Sequence, residues 1–175
     1  VETEVKLKLR TPEEGRRLLS GQGARLVVPR HLEDNVLFED ERGSLLGGGK
    51  LLRLRRTPAG ATLTFKGPRR VEGGMKSRVE LETPVHEPER LHAILEALGY
   101  RKLFRYEKYR EVYSLGDAEV VIDETPIGTF FEVEGEPAAI RAVAASLGYA
   151  ASDFISESYG ALFLATGGQG DMVFP

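Results

Sequence analysis

Acidic and basic residues recur two positions apart along this chain of 175 residues. Glu2, Glu4 and Lys6 open it, followed by Arg53 with Arg55, Lys66, Arg78 with Glu80, Lys108 with Arg110, Asp123, and Glu132 with Glu134. A spacing of two puts side chains on one face of a strand. The basic set, Lys6, Arg53, Arg55, Lys66, Arg78, Lys108 and Arg110, suits phosphate: arginine forks meet phosphate oxygens in pairs and lysine adds point charge. The acidic set is Glu2, Glu4, Glu80, Asp123, Glu132 and Glu134. With no cysteine in the chain and no histidine beside them, these are hard oxygen donors suited to Mg²⁺ or Mn²⁺. Cations and metal ions acting together on a phosphate chain are the parts of phosphoryl transfer.

A single Glu-x-Glu pair is more often surface decoration, and a one-sided antiparallel sheet ordinarily keeps its charges in water. Here the pairs recur on strand after strand. A sheet of about eight strands tends to curl and can close. With helices outside, closure would turn the charged faces into a lumen, which is tolerable only where charges pair or hold ions.

The opposite parity is apolar: Val5, Leu7 and Leu9; Leu52 and Leu54; Leu63 and Phe65; Val79 and Leu81; Ile122; Phe131 and Val133. Beyond the opening stretch, strands are expected at Asn35–Phe38, Lys50–Arg56, Ala61–Lys66, Lys76–Glu82, Tyr106–Tyr113, Glu119–Asp123 and Thr129–Glu134. Three strand–helix units punctuate them. Thr11-Pro12-Glu13-Glu14 fits an N-cap, a first-turn proline and a capping-box glutamate. Pro88 and Pro137 stand at equivalent starts, and Gly99 and Gly148 at left-handed stops. The pattern is α+β. No glycine-rich loop leads from strand to helix, so dinucleotide-fold and P-loop readings are disfavoured.

The chain is 41 % apolar and 29 % charged with a net charge of -3, the composition of a globular domain rather than of a bulk nucleic-acid binder. No apolar run approaches the roughly 20 residues of a membrane span, so the expected location is the cytoplasm. Residues 1–165 are expected to form one domain and 166–175 a flexible tail.

The motifs together resemble a known family. "ETEVK" resembles the first-strand ExExK signature of the CYTH superfamily, the triphosphate tunnel metalloenzymes. The likeness continues through "LLRLRR", "LTFKGP", "SRVELE", "EKYREVY", "VVIDETPIGTFFEVEG" and "SESYGALFL". It implies an eight-stranded antiparallel closed barrel with helices outside and a triphosphate in the tunnel. It further implies phosphate contacts from the seven basic residues above, and metal ligands among Glu2, Glu4, Asp123, Glu132 and Glu134. Glu2, Glu4 and Lys6 form the implied catalytic set. Glu80 is a lumen residue whose partner, metal or arginine, stays open.

The overall likeness leans towards the class IV adenylate cyclase branch, ATP to cyclic AMP and pyrophosphate. The alternatives are a hydrolase of thiamine triphosphate, tripolyphosphate or nucleoside triphosphates, and, more distantly, a non-catalytic polyphosphate- or nucleotide-binding module. An RNA 5′-triphosphatase is disfavoured by the acidic charge balance. The expected partner is a small triphosphate, with neither nucleic acid nor membrane, on a monomer or homodimer. His31, His86 and His92 lack metal-site spacing and read as structural. Ser158 and Tyr159 fit either a tunnel mouth or packing, and Lys8 and Arg10 read as rim residues.

Overall fold

A computed structural model describes residues 1–175. Its strands are β1 (Glu2–Leu9), β2 (Arg25–Asp40), β3 (Leu51–Thr57), β4 (Gly60–Lys66), β5 (Arg70–Glu72), β6 (Met75–Arg78), β7 (Glu80–Val85), β8 (Tyr100–Leu115), β9 (Ala118–Thr125) and β10 (Gly128–Gly135). The helices are α1 (Pro12–Gly21), a single turn α2 (Ser44–Gly47), α3 (Pro88–Ala97), α4 (Pro137–Ser146) and α5 (Tyr159–Ala165). The α+β reading holds. β2 begins ten residues before the expected Asn35, and β5, α2 and α5 have no counterpart among the expected elements.

The strands form one antiparallel ladder of ten in the order β5-β6-β1-β10-β9-β8-β2-β3-β4-β7. This corrects the expected closed barrel of eight. β6 pairs with β1 on one side and with β5 on the other, while β7 pairs with β4. The edge of β6 that closure would need is thus covered by β5. Only Val79 separates β6 from β7, and its carbonyl accepts from the Gly67 amide at 2.8 Å. Both ends of the ladder therefore lie along one stretch of chain, and the sheet curls around its charged face.

The local chemistry of the helices follows the sequence signals. Thr11 caps α1 by accepting from the Glu14 amide at 3.1 Å, and Glu14 returns a bond to the Arg10 amide, one residue earlier than a capping box requires. Gly99 and Gly148 end their helices at φ 92° and 91°. Gly15 lets α1 settle onto the sheet: a Cβ there would lie 2.9 Å from Leu9 Cδ1 and 3.0 Å from Ile122 Cδ1.

Two apolar clusters cover the outer face. Val5, Leu7, Leu9, Val120, Ile122, Phe131 and Val133 pack with Leu19 of α1 and with Ile140, Val143 and Ala144 of α4. Val36, Phe38 and Leu54 pack with Leu95 of α3. A third cluster, Phe130, Tyr159 and Met172, sits on the inner side, where α5 and the last residues close one end. The terminal segment, expected to be loose, is docked there: Met172 exchanges backbone bonds of 2.9 Å with Arg105 and Glu107, and Asp171 pairs with Lys102 at 2.8 Å. No helix is long and apolar enough to cross a membrane.

Ile140 is fully buried, whereas Leu98 at the end of α3 is 69 % exposed. Ile140→Ala is expected to lower unfolding free energy by about 2–5 kcal/mol, and Leu98→Ala by no more than about 0.5 kcal/mol. Urea titration checks both; equal losses would contradict the packing of α4 on this face.

Candidate active site

Strand register builds the inner face by setting charged side chains beside each other, most of them of opposite sign. Lys6 stands opposite Glu132 and Glu4 opposite Glu134 across β1 and β10. Glu2 faces Arg78 and Glu4 faces Lys76 across β6. Arg110 faces Asp123, Glu33 faces Lys108, and Lys66 faces Glu80. Directly opposed side chains in antiparallel pairs are close enough to interact, and unlike charges there stabilise. All of these except Asp123 and Glu33 line a cavity of about 900 Å³ that receives side chains from every strand except β5.

One part of this cavity is acidic. Carboxylate oxygens of Glu2, Glu4 and Glu134 lie within 4.8 Å of one another. Burial, with Glu132 and Glu2 nearby, pushes the Glu134 carboxyl up to about 10. Burial and a hydrogen bond with Glu80 raise Glu2 as well. Glu4 behaves oppositely: burial and Glu132 resist its ionisation, but Lys6 and Lys76 outweigh them and hold it at about 2. Both lysines donate to the same Glu4 oxygen, Lys6 at 2.9 Å. Three converging oxygen donors, two of them reluctant to ionise without a counter-charge, fit a hard divalent cation.

The remainder is a row of cations. Lys6 is held between Glu4 and Glu132, 2.9 Å from each. Burial works against its ammonium, yet Glu132 and Glu4 push its pKa above the ordinary lysine value. Arg110 forks onto Asp123 with two bonds of 2.7 Å and reaches Glu132 at 2.7 Å. Lys108 donates to Asp123 at 2.9 Å. Arg55 bonds Asn35 at 3.2 Å and pairs with Glu33 at 3.2 Å. Lys66 pairs with Glu80 at 2.5 Å. Arg53 donates to Thr64 at 3.3 Å, and its buried Nε has no partner. Arg78 is committed to backbone, donating to Gly67 O at 2.9 Å and Gly49 O at 3.0 Å. It fastens the chain beside the Val79 break.

A family model described as the CYTH domain matches residues 1–157. The chain belongs to the CYTH domain family. A putative adenylate cyclase of Methanocaldococcus jannaschii is 27 % identical over 135 residues, covering 77 % of this chain and 76 % of that protein. Among solved structures, a putative adenylate cyclase from Vibrio parahaemolyticus shares the fold with a TM-score of 0.82 at 19 % identity, covering 93 % of this chain and 97 % of the other. A putative adenylyl cyclase from Hippeastrum, described as revealing a dominant triphosphatase activity, has a TM-score of 0.70 at 19 % identity, with 97 % of each chain covered.

Against this CYTH frame, the cavity brings together Glu2, Glu4, Lys6, Arg53, Arg55, Lys66, Arg78, Glu80, Lys108, Arg110, Glu132 and Glu134. Asp123 is absent from its walls: it is fully buried beneath Lys108 and Arg110. Glu132 is bonded to cations rather than grouped with the acidic cluster. The partner of Glu80 is Lys66, with Glu2 alongside. Lys8 and Arg10 are exposed; Lys8 lies 4.0 Å over the Phe130 ring and Arg10 pairs with Glu14. His31 lies 3.7 Å from Glu33, and His92 packs edge-on against Phe38. Ser158 and Tyr159 both line the cavity.

The expectation missed Lys76, Glu33, Asn35, Tyr106 and Glu82. Lys76 was within reach, since it precedes Arg78 by two on one strand. Glu33 shares parity with Asn35 but lies before the point at which the strand was expected to begin.

The two carboxylates of β10 are expected to part company on substitution. Glu134→Gln replaces a carboxyl that burial and its acidic neighbours keep protonated near neutral pH, so the thermal midpoint should hold or rise. Glu132→Gln leaves Lys6 and Arg110 short of a counter-charge and should cost about 3–5 kcal/mol. The sign of the pH effect follows: an acid whose folded pKa is raised to about 10 has its contribution intact below the unfolded value of 4.5, and loses it as pH rises towards 10. Metal-free wild type should therefore weaken relative to Glu134→Gln over that window, as chemical denaturation at stepped pH would read.

Proposed function

We propose that this protein is a divalent-metal-dependent enzyme acting on an organic triphosphate, with conversion of ATP to cyclic AMP and pyrophosphate as the leading reaction. What carries the reading is one juxtaposition: a three-carboxylate cluster and a row of buried cations share a single cavity. Glu2, Glu4 and Glu134 would hold Mg²⁺ or Mn²⁺, which when bound supplies Lewis-acid polarisation of phosphoryl oxygens. Arg53, Arg55, Lys66, Lys108 and Arg110 bind and orient the phosphate chain. Lys6, set between Glu4 and Glu132, brings a fixed positive charge to the boundary between acidic and basic regions. Preorganised charge of this kind needs no rearrangement when negative charge builds on phosphoryl oxygens.

The second reading, hydrolysis of the terminal phosphate, is favoured by the dominant triphosphatase activity named for the Hippeastrum protein. The two differ in which phosphorus meets the nucleophile: the α-phosphorus for a ribose 3′-hydroxyl, the terminal one for water. A non-catalytic polyphosphate binder would gain nothing from carboxylates set beside phosphate.

Product analysis separates them. ATP, thiamine triphosphate and tripolyphosphate are each incubated with Mg²⁺ or Mn²⁺. Cyclic AMP with pyrophosphate from ATP is the expected outcome; a diphosphate with orthophosphate assigns hydrolysis instead. Chelation of the metal should abolish turnover in either case, and turnover that survives chelation would overturn both readings. Glu134→Gln is expected to reduce metal-dependent turnover at least about 100-fold, the scale on which loss of a preorganised charge-stabilising group is felt.

A further inference from the structure

Asp123 has no exposed surface, and four donors converge on it. Arg110 Nε reaches Oδ1 at 2.7 Å; Arg110 Nη2, Lys108 Nζ and the Tyr159 hydroxyl reach Oδ2 at 2.7, 2.9 and 2.7 Å. An ionised carboxylate offers about four acceptor sites, so this one is filled by protein. It is organised as a hub for cations and not as a ligand waiting for an ion.

The fourth donor comes from α5, outside the sheet. Tyr159 is 6 % exposed, and its ring lies 5.0 Å from Lys6 Nζ and 5.3 Å from Lys108 Nζ, within the roughly 6 Å reach of cation–π attraction. Backbone tethers fix the helix from both sides. Ile155 exchanges two bonds of 2.9 Å with Lys6, and Met172 exchanges two of 2.9 Å with Arg105 and Glu107. The hydroxyl is thus delivered to Asp123 by a clamped segment.

We propose that Tyr159 is a positioning residue: through Asp123 it fixes the Arg110 fork and the Lys108 ammonium in the orientation in which they receive phosphate. The role rests on the triphosphate reading above and adds a component to it. Arg110 spends Nε and Nη2 on Asp123 and Glu132, which leaves Nη1 for a phosphate oxygen. Removing the hydroxyl strips Asp123 of one of its donors and loosens the pair of cations it aligns. The metal-binding carboxylates lie on β1 and β10 and make no contact with this hydroxyl.

The test is calorimetric binding of tripolyphosphate in EDTA, where no metal-dependent turnover occurs, alongside separate Mn²⁺ binding. Tyr159→Phe keeps the ring and is expected to weaken tripolyphosphate about tenfold, the scale of one hydrogen bond to a charged group. Its Mn²⁺ affinity should stay within about twofold of wild type. The Arg110 Nε–H signal in ¹⁵N NMR should exchange with water faster. Tripolyphosphate bound as tightly as by wild type would overturn the positioning role, and so would parallel losses of Mn²⁺ and tripolyphosphate. Wild-type protein that binds no tripolyphosphate would instead overturn the functional reading beneath it.

Discussion

Lys6 is almost wholly buried and survives as an ammonium because Glu4 and Glu132 each stand 2.9 Å away. The whole inner face obeys the same constraint. Desolvating an isolated charge costs several kcal/mol, so every buried cation must face a carboxylate, a hydroxyl, an amide or a carbonyl. Antiparallel register meets the demand by setting acid across from base on neighbouring strands. Where the residue opposite does not suffice, others add to it: Asn35, opposite Arg55, is joined by Glu33, and Arg78, opposite Glu2, donates to backbone carbonyls. Around Glu2, Glu4 and Glu134 carboxyl groups crowd one another, and the buried Arg53 Nε is left without a partner.

That balance supplies little net stability, since buried ion pairs roughly break even against apolar packing. The fold is held by the other side of the same strands. Val5, Leu7 and Leu9 alternate with Glu4, Lys6 and Lys8, and their burial beneath α1 and α4 carries the hydrophobic contribution. One strand thus does two jobs on two faces, and the inner one tolerates the charge conflict at the acidic cluster because the outer one does not depend on it.

This division also governs what was legible in the sequence. Period-2 alternation marks a strand and its charged face together, so the cavity residues on β1, β3, β4, β6, β8 and β10 could be named before any coordinates. Alternation says nothing about how the ladder closes. Whether β6 meets β4 depends on a short β5 and a break at Val79, and three residues such as Arg70–Glu72 carry no periodic signal. Nor does alternation distinguish an acid that faces the cavity from one filled by neighbours. Asp123 and Glu134 look alike in sequence; only the donors around Asp123, one of them from a helix with no charge pattern, set them apart.

Along β1 the inner face has a direction. It passes from Glu2 and Glu4, beside Glu134, to Lys6 beside Glu132, and on to Lys8 over the ring of Phe130. The Ile155 tether meets this strand at Lys6, the residue that divides acid from base. An anion in the cavity therefore meets carboxylates at one end, and a hydrophobic closure built from Phe130, Tyr159 and Met172 at the other. Net charge conceals this arrangement. The value of -3 argues against a surface made for nucleic acid, yet it is a total over the whole chain and is blind to a lumen in which opposite signs are nearly balanced and spatially sorted. It is the sorting along the strand, and not the total, that gives a polyanion one favourable orientation.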